Sequence, residues 1–146
     1  MYKLNESKMF ADVTNNVAII INSETGIYYG MNNCGSIVFQ AIIDGSSIQS
    51  ILESLKKIEG CPNDIEQKLK SFTDELLQKE IIVEAEQSSK VPVFDENIIK
   101  QDKFEMKVLE YADAQEMLLA DPIHDVDEKE GWQPVFKEEK DNNDKK

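Results

Sequence analysis

The chain has 146 residues, 29 of them acidic and 16 basic, for a net charge of −13, and it contains no arginine. That balance argues against a nucleic-acid binder, which uses a basic patch to release counterions from phosphate, and against attraction to anionic lipid surfaces. No apolar run is long enough to span a bilayer and the amino-terminal MYKLNESKMF lacks a signal-peptide core, so a cytoplasmic protein with no membrane partner is expected.

Residues 1–85 read as one domain. MFADV (9–13) has the character of an edge strand, with TNN (14–16) as the following turn. VAIIIN (17–22) is a continuous run of branched residues, read as a strand buried on both faces. SETG (23–26) supplies a second turn, and IYYGM (27–31) completes a hairpin. From Asn33 the period changes: Ile37, Val38, Ala41 and Ile42 recur at helical spacing, with Asn32 or Asn33 as cap and Asp44–Gly45 as the stop. Ser46 or Ser47 opens a second helix bearing Ile48, Ile51, Leu52 and Leu55, which Gly60–Cys61–Pro62–Asn63 breaks. Asp64 opens a third helix, where Ile65, Leu69, Phe72 and Leu76 form one apolar face. IIVE (81–84) closes the unit as a short strand.

The expected fold is therefore α+β. It is a small winged helix-turn-helix-like domain with a three-stranded N-terminal antiparallel sheet, three helices and a C-terminal extension. The third helix, taken as 64–79, sets four acids against three lysines, which suits a DNA major groove poorly. Cys34 and Cys61 match no metal or redox spacing and are expected to be free thiols. The domain has no Cys-His or Ser-His pair and no glycine-rich phosphate loop, so no catalytic residue, no enzyme activity and no cofactor are expected.

Residues 86–104 read as a linker. EMKVLEYADAQEMLLA (105–120) returns to helix-like spacing, and with DPIHDVDEKEGWQP (121–134) it belongs to a unit spanning 105–136. Residues 137–146 read as a solvated, disordered tail. The 121–134 motif holds the chain's only histidine, His124, and its only tryptophan, Trp132. One histidine among carboxylates, without the glycine turn of a hard-ion loop, does not make a metal site. A purely solubilising acidic tail is one remaining reading, but it has little use for a tryptophan. The other is a docking or modified segment centred on Asp121, His124, Asp125, Asp127 and Trp132.

The ordered series Glu24–Thr25, Tyr28–Tyr29, Asn32, Gly35, Asp44–Gly45, Ser47 and the run to Val83 resembles the PqqD-like family, also called RiPP recognition elements. The likeness covers roughly residues 9–84. Val38–Phe39 departs from it, since the family often places a tryptophan there. The resemblance implies a domain that binds the leader of a ribosomally made precursor peptide as an added strand along the hairpin's open edge. The third helix would form the other wall, and the peptide would be presented to a radical or ligase-type maturase. An exposed strand edge offers unpaired backbone groups suited to such binding. The expected strand wall is Ile27, Tyr28, Tyr29, Gly30 and Met31, and the expected helix wall is Leu69, Phe72, Thr73 and Leu76. Leu69, Phe72 and Leu76 read equally well as core. The open edge also allows a homodimer. In an alternative reading the chain is itself a precursor, its folded domain serving as leader and its segment around 120–136 being modified.

Overall fold

The computed structural model of the chain describes residues 1–86 and 90–120. Eleven elements follow in order: β1 (Tyr2–Leu4), β2 (Met9–Thr14), β3 (Val17–Asn22), β4 (Tyr28–Met31), α1 (Asn33–Ile43), α2 (Ile48–Lys56), α3 (Ile65–Gln78), β5 (Ile82–Glu84), α4 (Glu96–Gln101), β6 (Val108–Tyr111) and α5 (Ala114–Ala120). The fold is α+β with two antiparallel sheets. No helix among the described residues is long and apolar enough to cross a membrane.

Local chemistry accounts for the first half. Asn15 and Asn16 both adopt positive φ, 53° and 62°, which asparagine tolerates and which a two-residue hairpin turn between β2 and β3 demands. The Asn22 carboxamide oxygen accepts from the Glu24 and Thr25 N–H groups, and Gly26 takes φ 79°, so the β3–β4 connection is set by its own residues. Asn32 caps α1 and Ser47 caps α2, each through its side-chain oxygen. Gly45, at φ 107°, ends the turn after α1.

The core lies between the inner face of the large sheet and the helices. Ala18, Ile20, Tyr29 and Met31 from the strands meet Val38, Phe39, Ile42, Ile51, Leu55, Leu69, Phe72 and Leu76 from α1–α3. β3 is not buried on both faces as expected: Ala18, Ile20 and Asn22 point inward, whereas Ile19 is 37% exposed on the outer face. The branched run serves β-propensity on both sides but burial on only one.

Three further departures matter for function. The large sheet has four strands, in the order β2-β3-β4-β6, where three were expected. Its fourth strand comes from the stretch read as an amphipathic helix: only residues 114–120 of it are helical, and residues 108–111 pair with β4. The stretch read as a linker contains α4, and its Ile99 and Phe104 are buried in the same core, at 0% and 4% exposure. β5 does not extend the large sheet but pairs with β1, in a segment that carried no recognised strand signal.

Candidate functional site

β4 is the outer strand of the hairpin, and its free side is where an added peptide strand is expected. β6 occupies it. The pairing is antiparallel, with Tyr28 opposite Tyr111, Tyr29 opposite Glu110, Gly30 opposite Leu109 and Met31 opposite Val108. Residues directly opposite share a face. Val108 and Glu110 therefore lie on the inner face with Met31 and Tyr29, while Leu109 and Tyr111 lie on the outer face with Gly30 and Tyr28.

The chain reaches this edge by a specific route. α4 ends in a turn where Lys103 and Phe104 both take positive φ, 56° and 62°, and the buried Phe104 ring fixes the reversal. Phe104 N–H donates to the Ile99 carbonyl at 3.0 Å, and Lys103 N–H to the Lys100 carbonyl at 2.9 Å. Asp102 is thereby placed to accept from the Cys34 N–H at 2.8 Å, on the first turn of α1.

Asn32 then grips the approaching segment. Its Oδ1 accepts from the Gly35 N–H at 3.0 Å, which is the helix cap, and also from the Lys107 N–H at 2.9 Å. Its Nδ2 donates to the Glu105 carbonyl at 2.7 Å and to Asp102 Oδ2 at 3.1 Å. Gly35 makes room for this arrangement. A Cβ there would lie 2.7 Å from Asn32 Oδ1 and 3.2 Å from the Lys107 backbone nitrogen, closer than side chains normally approach.

Lys68 on α3 and Lys79, its C-cap, both reach the incoming segment. Lys68 donates to the Glu105 carboxylate. Lys79 Nζ lies 3.3 Å from Glu110 Oε1, 3.8 Å from Glu75 and 6.0 Å from the centre of the Tyr29 ring. The Lys68 ammonium is held above its usual range, chiefly by its hydrogen bond to Glu105. Burial raises the Tyr29 hydroxyl, with the Glu110 charge adding to it. Beneath the segment, the buried Cys34 thiol is pushed up to about 12, first by burial and then by the Asp102 and Glu105 charges. Cys34 and Cys61 are both free thiols.

Of the expected strand wall, Tyr28 and Ile27 are half-buried while Tyr29, Gly30 and Met31 are buried. Of the expected helix wall, Leu69, Phe72 and Leu76 are nearly or fully enclosed within the core cluster. The Thr73 hydroxyl is turned back onto the Leu69 carbonyl at 2.8 Å. The α3 face nearest the incoming segment is instead the one carrying Lys68, Phe72, Glu75 and Lys79: a cleft of about 210 Å³ lies between Gln67, Lys68, Ser71, Phe72 and Glu75 on one side and Glu105 and Met106 on the other. Spacings of four, three and four make these one stripe of the helix, a signal legible in the sequence but eclipsed by the stronger apolar stripe beside it. Asp121, His124, Asp125, Asp127 and Trp132 lie outside the described residues.

Residues 18–82 match the family model described as coenzyme PQQ synthesis protein D (PqqD). No curated protein matches the chain, and no solved structure does so either.

Proposed function

We propose that residues 18–82, which match the PqqD family model, form the heart of a non-catalytic peptide-recognition module. It holds the leader of a ribosomally made precursor as an added strand along β4, within a winged-helix-like arrangement of hairpin and helices. It then presents that peptide to a modifying enzyme in the cytoplasm. The observation that carries this reading is the antiparallel seating of β6 on Tyr28–Met31. An edge able to hold a strand from 77 to 83 residues away in sequence offers the backbone N–H and C=O groups that strand addition uses. Ile27, Tyr28, Tyr29, Gly30 and Met31 make the strand wall. On α3 the groove is lined by Lys68, Phe72 and Lys79, with Leu69, Thr73 and Leu76 supporting them from the core side. A homodimer through this edge would have to displace β6.

A second reading is favoured by the same strand. Recognition domain, bound strand and downstream segment follow one another in a single chain, which is the layout of a precursor fused to its own recognition element. The segment around residues 120–136 would then be the part that is modified.

Leader peptides encoded beside the gene, titrated by fluorescence anisotropy, test the first reading. A photoreactive residue placed at Tyr28 should crosslink to the bound peptide, and failure of every neighbouring peptide to bind a folded variant whose β6 is released from β4 would sink the reading. Intact mass with peptide mapping after co-expression with neighbouring modifying enzymes tests the second: a shift within residues 120–146 is expected, and an unchanged tail rejects it.

A further inference from the structure

The groove of this chain is already filled by its own residues, and the manner of filling identifies the kind of peptide it takes. We propose that Lys68 and Lys79 form a two-point reader for acidic peptides, and that Glu105–Tyr111 is a built-in occupant which any second peptide must displace. The inference rests on the strand-addition reading above and names its ligand class and its regulation.

The geometry begins with α3. Lys68 and Lys79 are eleven residues apart, three helical turns, so both project from the same side, separated by about 16 Å along the axis at 1.5 Å per residue. Glu105 and Glu110 are five residues apart, about 17 Å in extended chain at roughly 3.3 Å per residue. The two spans match, and each lysine meets one glutamate in the same order along the chain. An odd separation would put two residues of a regular strand on opposite faces. Glu105 precedes β6, outside the residues paired with β4, where Asn32 rather than the ladder holds the backbone, so strand parity does not fix its side.

The remaining contacts complete the pattern. Val108 sits on the inner face beside Met31, which is fully buried, and Tyr111 is buried on the outer face opposite Tyr28. Gly30, with no side chain, faces Leu109. The preferred ligand is therefore an acidic residue, an apolar residue, one variable position, two apolar residues, a second acidic residue and an aromatic. In a domain this acidic, two lysines aimed into the groove also select against leaders that are basic at those two positions. The cis segment already satisfies each position and is tethered at high effective concentration, so it disfavours entry of a free peptide.

The test uses the full-length protein and a fluorescein-labelled peptide with the sequence of residues 103–113, followed by anisotropy. Two variants open the groove. Val108→Pro combined with Leu109→Pro removes at least one N–H from the β4 ladder whichever residue faces it. Glu110→Lys, an exposed change, sets a lysine against Lys79 and loosens β6 without adding proline. Circular dichroism reports whether each variant keeps its helices. The opened proteins should bind the peptide at least tenfold more tightly than the wild type. A peptide with glutamine at both glutamate positions should bind the proline variant about five- to tenfold more weakly, in keeping with two partly exposed ion pairs. A peptide with lysine at both positions should bind best to the proline variant that also carries Lys68→Glu and Lys79→Glu. Equal binding of the glutamate and glutamine peptides overturns the acidic reader while leaving strand addition intact. Equal binding to wild type and to both opened proteins overturns the built-in occupant. Folded, opened variants that bind none of these peptides overturn strand addition itself.

Discussion

Replacing Asn32 with alanine removes a helix cap and the clasp on residues 105–107 in a single step. The cap, donated by the Gly35 N–H, is worth about 1 kcal/mol. The bonds to the Lys107 N–H, the Glu105 carbonyl and Asp102 are part-exposed, so each contributes toward the low end of about 0.5–1.5 kcal/mol. The expected loss is therefore about 2–3 kcal/mol, measured by urea denaturation. Roughly half of it is specific to the segment, which corresponds to about a tenfold rise in amide exchange at residues 105–111 relative to the α2–α3 core. Asn32→Asp separates the contributions: a carboxylate still caps α1 and still accepts from Lys107, but it cannot donate to Glu105 and it faces Asp102. It should spare most of the cap while releasing the segment. If Asn32→Ala costs less than about 0.5 kcal/mol, or if exchange at 105–111 does not change, the clasp described here does not hold the segment.

Gly35→Ala should act on the same joint, driving a Cβ against Asn32 Oδ1 and the Lys107 backbone; a loss of about 1–3 kcal/mol with increased exchange at 105–107 is expected in the same denaturation and exchange measurements. Cys34 should resist iodoacetamide at pH 8, because a thiol pushed up to about 12 leaves on the order of one thiolate in ten thousand and the sulfur is enclosed. Half-buried Cys61 should label first, and Asn32→Ala should speed labelling of Cys34; peptide mapping by mass spectrometry that finds Cys34 as reactive as Cys61 would contradict the docked segment. Stability should fall in alkali. The unfolded chain releases the Cys34 proton near the ordinary 9.0 and the folded chain only near 12, so the unfolded state binds fewer protons between them and the stabilisation present below pH 9 is lost as pH rises through that window. The raised Lys68 pKa acts in the same direction, its contribution being complete below 10.5 and lost above it. A urea series from pH 8 to pH 11 that shows constant or rising stability would refute this.

Much of the first half was legible because its determinants are short-range. The Asn15–Asn16 turn, the Asn22-to-Gly26 connection, the caps at Asn32 and Ser47 and the apolar stripe of α3 each sit within a few residues of the structure they specify. The resemblance to the PqqD-like family also rested on residues that matter here: Asn32 and Gly35 were recognisable as a pair, and the cap was foreseeable. Their second role was not, since Lys107 and Glu105 lie more than 70 residues away.

VLEY illustrates the opposite case. Within EMKVLEYADAQEMLLA the apolar spacing fits a helix, and leucine and glutamate are good helix formers. Residues 114–120 do form one. Residues 108–111 do not, because β4 presents an unsatisfied ladder at the point where the chain emerges from its Asn32 clasp, and pairing with it satisfies backbone groups on both strands. Strand preference depends on what lies alongside more than on the residue itself.

The sequence alone therefore determined the acidic character, the hairpin with its turns, and three helices of which the first two are capped by Asn32 and Ser47. Only the tertiary structure decided what sits on the β4 edge and which stripe of α3 faces it. The first set depends on dihedral and capping preferences that act within a turn of chain. The second depends on which unpaired backbone groups and which lysines are brought beside residues 105–111, and that proximity exists only once the domain has closed its core.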